Sequence, residues 1–147
     1  MFQGRVNLNL DNKGRLAVPA KYRETPAIVE CAGKLVITAD SLNYLLIYPL
    51  PEWATVQQNL MRLSNANPTI KKLQRMLIGN AQEVDIDASG RILIAPELRK
   101  HAGLDKSVML VGLGQKFELW DEAKWNAEMS APLSLDDIGS DLQGFSW

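Results

Sequence analysis

Thiols and imidazoles are almost missing from this chain. One cysteine, Cys31, excludes an internal disulfide and a thiolate cluster for zinc. One histidine, His101, excludes a site built from several imidazoles. The longest uncharged run, Ser41–Pro51, is far too short to span a bilayer. The N-terminus reads Met1-Phe2-Gln3-Gly4-Arg5 and then alternates, so no signal peptide is expected. With 46% hydrophobic and 22% charged residues in 147, disorder is excluded and one domain, or two very small ones, is implied. The expectation is a small cytoplasmic protein with no metal, no cofactor and no membrane partner.

An excess of one charge sign is missing only on average. The net charge is −1. Residues 1–80 carry ten Lys/Arg against five Asp/Glu, a net of +5. Residues 81–147 carry six against twelve, a net of −6. A basic half and an acidic half are compatible with nucleic-acid binding by the first, and equally with head-to-tail self-association.

What is present is an internal duplication. Leu10–Arg23 matches Ile86–Arg99 at an offset of 76. Asp11/Asp87, Gly14/Gly90, Arg15/Arg91 and Arg23/Arg99 are identical, and Leu10/Ile86, Leu16/Ile92 and Val18/Ile94 keep the apolar pattern. A second match, at an offset of 72, sets Tyr48 and Trp53 against Trp120 and Trp125. Two copies are too few for a solenoid, so they are read as half-units that complete each other's core.

Each copy begins with an alternating strand, Val6–Leu10 or Val84–Ile86. A turn follows, Asp11-Asn12-Lys13-Gly14 or Asp87-Ala88-Ser89-Gly90. Asp and Asn bond their own backbone there, and Gly supplies positive φ. Alternation resumes at Arg15–Val18 and Arg91–Ile94, which predicts a hairpin in each copy. Pro19 and Pro96 open short helices. Leu35–Thr38 and Leu45–Tyr48 read as strands, mirrored by Val108–Val111 and Lys116–Trp120. Between the copies, Trp53, Val56, Leu60 and Leu63 recur at helical spacing. Asn67-Pro68 caps a second helix, with Ile70, Leu73 and Leu77 on one side and Lys71, Lys72 and Arg75 on the other. The fold class expected is mainly β with helices, α+β. Its parts are a first module at 5–52, a helical insert at 53–80, a second module at 81–125 and a helical, acidic tail at 126–147. Phe145 and Trp147 are out of place in a free acidic tail, which points to docking.

The paired Asp-x-x-Gly-Arg turns are the candidate site. The structural reading is that Asp11 and Asp87 cap turn amides, Gly14 and Gly90 close the turns, and Arg15 and Arg91 pair with the carboxylates. The functional reading projects the two arginines side by side from loops related by a pseudo-twofold axis. A guanidinium offers two parallel N–H donors, a match for phosphate and for the O6/N7 edge of guanine. Lys13 adds phosphate attraction, and its counterpart is Ser89. Lys21 and Arg23 follow on the short helix, with Glu97 and Arg99 opposite. The first copy is therefore the expected DNA reader, with Arg15, Lys13, Lys21, Arg23 and Arg91 as the DNA-binding set.

The doubled Asp11…Arg15 and Asp87…Arg91 motif, each followed by an apolar strand and Pro, resembles the SpoVT/AbrB DNA-binding module. With Tyr48-Pro49-Leu50-Pro51-Glu52-Trp53 and Leu119-Trp120-Asp121-Glu122, the chain is similar to the MraZ family over about residues 1–129. The resemblance implies a duplicated swapped-hairpin, double-split β-barrel with pseudo-twofold symmetry. It implies a homo-oligomeric ring of eight or twelve, located in the cytoplasm on the nucleoid. It implies a transcriptional regulator that binds direct repeats in double-stranded DNA upstream of its own cell-division and cell-wall operon.

Two rival classes are weighed against it. An aspartic-dyad hydrolase would use Asp11 and Asp87, but each is followed by an arginine four positions on, which holds it ionised. His101 lacks a nucleophile at a telling spacing, and Cys31 is a small hydrophobe. No catalytic residue, no small-molecule substrate and no enzyme activity are expected. An AbrB-like antidote or scaffold that binds a protein partner is the other alternative. It usually carries one module and a long tail, whereas here a second module takes that place.

Overall fold

The computed structural model describes residues 1–64 and 66–146. Eight strands and six α-helices alternate along it. The first copy gives β1 (Arg5–Asn9), β2 (Arg15–Ala17), α1 (Ala20–Arg23), α2 (Pro26–Val29), β3 (Lys34–Ala39) and β4 (Leu45–Pro49). The insert gives α3 (Leu50–Met61) and α4 (Pro68–Leu77). The second copy gives β5 (Gln82–Asp85), β6 (Arg91–Leu93), α5 (Pro96–Ala102), β7 (Ser107–Leu113), β8 (Lys116–Asp121) and α6 (Glu122–Ser130). A 3₁₀ turn at Leu135–Ile138 lies in the tail. No described helix is long and apolar enough to cross a membrane. The class is α+β, with a mostly antiparallel sheet.

The pairing interleaves the copies. Six strands run in the order β1-β7-β8-β4-β3-β5, and β2 pairs separately with β6. Thus β1 of the first copy lies on β7 of the second, β5 of the second lies on β3 of the first, and β2 meets β6. The hairpins expected within each copy form only at their turns. Beyond the turn, each strand leaves its sequence neighbour and pairs with the opposite copy. The reason is burial: Leu16 on β2 and Ile92 on β6 face each other in register and are 0% and 1% exposed. A three-residue strand buries so central a side chain only where a second apolar strand covers it.

Period-two alternation sorts the sheet into two faces. Leu35, Ile37, Leu45, Ile47, Val108, Leu110, Phe117 and Leu119 join Leu16, Val18, Ile92 and Ile94 in the main core. The alternate residues Val36, Leu46 and Tyr48 pack with Trp53 beneath α3. Met109 and Val111 pack with Trp125 of α6. Both faces of the central strands are covered, so β4 is apolar throughout and β3 is so between Lys34 and Thr38. Thr38 is the buried polar exception, and its hydroxyl donates to the Leu77 carbonyl at 2.5 Å, which ties the end of α4 to the sheet.

The insert departs from its expected face at one place. Trp53 and Leu60 are buried, but α3 ends at Met61 and Leu63 is exposed. Asn67 caps α4 as expected, accepting from the Thr69 amide at 2.9 Å. Of the two aromatic tail residues, Phe145 is more than half exposed and Trp147 lies outside the described residues.

Candidate nucleic-acid interface

The two Asp-x-x-Gly-Arg turns have the same internal wiring. The Gly14 amide donates to the Asp11 carbonyl and the Asp11 amide to the Arg15 carbonyl, both at 3.0 Å. The second turn repeats both bonds at 2.9 Å, Gly90 to Asp87 and Asp87 to Arg91. In each turn the Asp Oδ1 accepts two further amides. Asp11 takes Lys13 and Arg15 at 2.9 Å. Asp87 takes Ser89 at 2.8 Å and Arg91 at 2.9 Å. A side chain that accepts from residues two and four ahead closes the loop as an Asx-type turn.

The turns are also locked to each other. The Val18 amide donates to the Gly90 carbonyl and the Ile94 amide to the Gly14 carbonyl, each at 2.9 Å. Two arginines complete the lock. Arg23 donates through Nε to the Val18 carbonyl at 2.8 Å and lies across Gly90 of the other copy. Arg99 donates to the Ile94 carbonyl at 3.0 Å and lies across Gly14. A Cβ on Gly14 would sit 2.6 Å from the Arg99 Cζ, and one on Gly90 would sit 3.0 Å from the Arg23 Cζ. Both glycines also have positive φ, 80° and 79°. Positive φ favours glycine at both positions, and at Gly14 a Cβ would in addition push the Arg99 guanidinium aside.

This arrangement brings Arg15 and Arg91 together. Arg15 Nε lies 2.7 Å from Asp11 Oδ2, and Arg91 Nη1 lies 3.6 Å from the same oxygen. Arg91 Nε is 3.6 Å from Asp87 Oδ2 and is buried without a hydrogen bond. Arg15 is therefore held firmly, whereas Arg91 has ionic neighbours only at longer range. Amides and guanidinium set the acidity of the pair. The Arg15 amide, then its side chain and the Lys13 amide, hold Asp11 at a pKa of about 2. The Arg91 and Ser89 amides and the Arg91 charge lower Asp87. Both carboxyls are pushed toward the ionised form, the opposite of the shared proton of an acid-protease dyad.

The other candidates fall in different places. Lys13 is exposed on the first turn, beside Asn12. Lys21 is not in the paired loops: its Nζ stands 4.8 Å from the Tyr22 ring centroid, near Gly4. Arg23 belongs to the lock between the loops. Arg99 was foreshadowed only as the repeat partner of Arg23, and that identity is the signal for its matching position. The two copies also differ on the exposed side of their first strands. Arg5, Asn7 and Asn9 are exposed on β1, where the second copy has Ala81, Glu83 and Asp85. The alternation that marked β1 as a strand also marks these three as its solvent side.

Comparison with known proteins gives a consistent result. A family profile described as "MraZ protein, putative antitoxin-like" matches residues 1–76 and again 77–139. A relative from Nitrosospira multiformis, named Transcriptional regulator MraZ, is 55% identical over 147 residues, covering 99% of both chains. One of the same name from Klebsiella pneumoniae is 52% identical over 151 residues, covering 97% of this chain and 99% of its own. One from Escherichia coli K12 is 48% identical over 141 residues, covering 95% and 92%. With its Asp-x-x-Gly-Arg loops, one in each of the two profile matches, the chain belongs to the MraZ family.

Proposed function

We propose that this chain is a DNA-binding transcriptional regulator, not an enzyme, and that it reads double-stranded DNA with the paired loops 11–15 and 87–91. One observation carries the reading. Two guanidinium groups converge on one carboxylate, on loops locked together by reciprocal backbone bonds. Such a pair is already oriented before it meets DNA, so little freedom is lost on binding. Arg15 supplies the base contact, Lys13 a phosphate contact, and Arg91 a second, weaker one. Arg23 supports the loops from beside them, and Lys21 adds positive charge farther off, near Gly4. The names of the relatives agree with this role.

The finer reading belongs to the same proposal. The interleaved modules, residues 5–52 and 81–125, form a double-split barrel. Copies of the chain assemble into a ring of eight or twelve. The ring engages direct repeats upstream of its own operon, in the cytoplasm at the nucleoid. The opposed charges of the two halves support a heterologous contact of this kind.

Gel-shift titration with Arg15→Ala tests the loop. Specific affinity falls by the roughly 1–3 kcal/mol of a bidentate base contact per bound loop. Arg91→Ala costs less. Unchanged affinity for the repeats with Arg15→Ala refutes the assignment. The antidote reading is favoured by the wording of the family profile alone. It requires a protein ligand, and specific DNA binding with no toxin gene beside the chain's own gene separates the two.

A further inference from the structure

The helical insert has an outer surface that DNA reading by the loops does not use. Residues 53–80 contain Arg62, Lys71, Lys72 and Arg75 and no acidic residue. All four are exposed. Large apolar side chains stand near them at the end of α3: Met61 is 62% exposed and Leu63 44%. Gln74 Nε2 donates to the Leu60 carbonyl at 2.8 Å and holds α4 across the end of α3. That bond places the Met61–Leu63 end of one helix beside the Leu73–Arg75 turn of the other. The exposed Met61 and Leu63 at the end of α3 thus stand near the basic side of α4, Lys71, Lys72 and Arg75.

The tail has the complementary composition. Residues 130–146 hold Asp136, Asp137 and Asp141 and no basic residue. Leu133 is 84% exposed and Leu135 62%; the first precedes and the second opens the 3₁₀ turn that carries the first two acids. Leaving such side chains in water forgoes the burial that their size offers. In the single chain the insert face and these tail leucines both remain exposed.

We infer that the tail of one copy docks on the α3–α4 face of a second copy. Leu133 and Leu135 cover Met61 and Leu63, while Asp136 and Asp137 meet Lys71, Lys72 and Arg75. Charge complementarity names the occupant: the insert has only basic charges, and the tail is an all-acidic segment with apolar residues beside its acids. Each copy offers one tail and one insert, so the contact joins copies either as a reciprocal pair or onward from copy to copy. It stands apart from the DNA loops and does not depend on them.

Zero-length carbodiimide cross-linking of the full chain tests it. Unlabelled and ¹⁵N-labelled protein are mixed, dissociated in salt, and returned to low salt before coupling. Peptides joining Lys71 or Lys72 to Asp136 or Asp137 are expected in mixed isotopic form. Joined peptides of one isotope only, or none, overturn the proposal. Lys71→Glu with Lys72→Glu is expected to weaken self-association about tenfold, as loss and reversal of two exposed pairs implies. Adding Asp136→Lys and Asp137→Lys restores it. If the first pair instead weakens DNA binding with self-association unchanged, the face contacts phosphate and the docking inference fails. Arg15→Ala leaves the cross-links in place, so failure of the DNA reading and failure of this one are told apart.

Discussion

Asp11 shows how one carboxylate does structural work for two arginines. Its Oδ1 takes two amides and its Oδ2 faces both guanidiniums. The Arg15 amide and guanidinium and the Lys13 amide favour the ionised form, which is why its pKa falls from 3.8 to about 2. The linkage sign follows. The unfolded chain binds the proton more readily, so the contribution of Asp11 is full above about pH 4 and is lost as pH falls toward 2. A carboxyl ¹³C titration is expected to place the Asp11 midpoint near 2, and Asp11→Asn is expected to remove its part of the acid dependence. A midpoint near 3.8 contradicts the wiring. The glycines give a second prediction. Gly14→Ala combines left-handed φ with a clash on Arg99, a cost of roughly 1–3 kcal/mol. Gly139→Ala shares the positive φ but meets nothing within 4 Å, so its cost in thermal unfolding is expected to be smaller. Asp, Gly and Arg in these turns were legible in sequence, because turn chemistry is local. The role of Arg99 was not, since it packs on a glycine 85 residues away.

At the scale of elements, what was legible is what depends on near neighbours in the chain. The alternation of Val6, Leu8 and Leu10 marked β1, Asn67-Pro68 marked the start of α4, and the apolar runs marked β3 and β4. Partners were not legible. β2 could pair with β1 through its turn or with β6 at long range, and both choices keep the same apolar pattern. Joint burial of Leu16 and Ile92 decides for β6. α2 was missed because Pro26–Val29 has only four residues and no period to detect. The hold of the insert on the sheet rests in part on Thr38, whose hydroxyl satisfies the Leu77 carbonyl. Thr38→Val keeps the shape and orphans that carbonyl, at a cost of about 1–3 kcal/mol. Hydrogen exchange is expected to rise in α4 and to stay unchanged in β7. Equal change in both elements would show that the bond supports the whole fold and not this attachment.

At the scale of the whole molecule, the proposal must explain tight binding from a small loop. One chain offers Arg15 and Lys13 with a few basic residues beside them, and a handful of phosphate contacts gives weak affinity at physiological salt. A ring of the kind proposed repeats the loop at regular intervals. Once one loop is engaged, its neighbour meets the next DNA repeat at high effective concentration, and affinity multiplies without new contacts. Duplex DNA is stiff over such lengths, so many loops of a closed ring reach one site only if DNA bends or the ring distorts. Affinity is therefore expected to depend steeply on repeat number and phase. A single repeat binds barely above random DNA. Several repeats about one helical turn apart, ~10 bp, bind far more tightly. Moving one repeat by ~5 bp turns it to the opposite side of the duplex and removes most of the gain. Fluorescence anisotropy across such a set of duplexes, at fixed salt, measures each step. Equal affinity for one repeat and for the array would show that a single loop pair suffices, and assembly would then need a reason other than DNA.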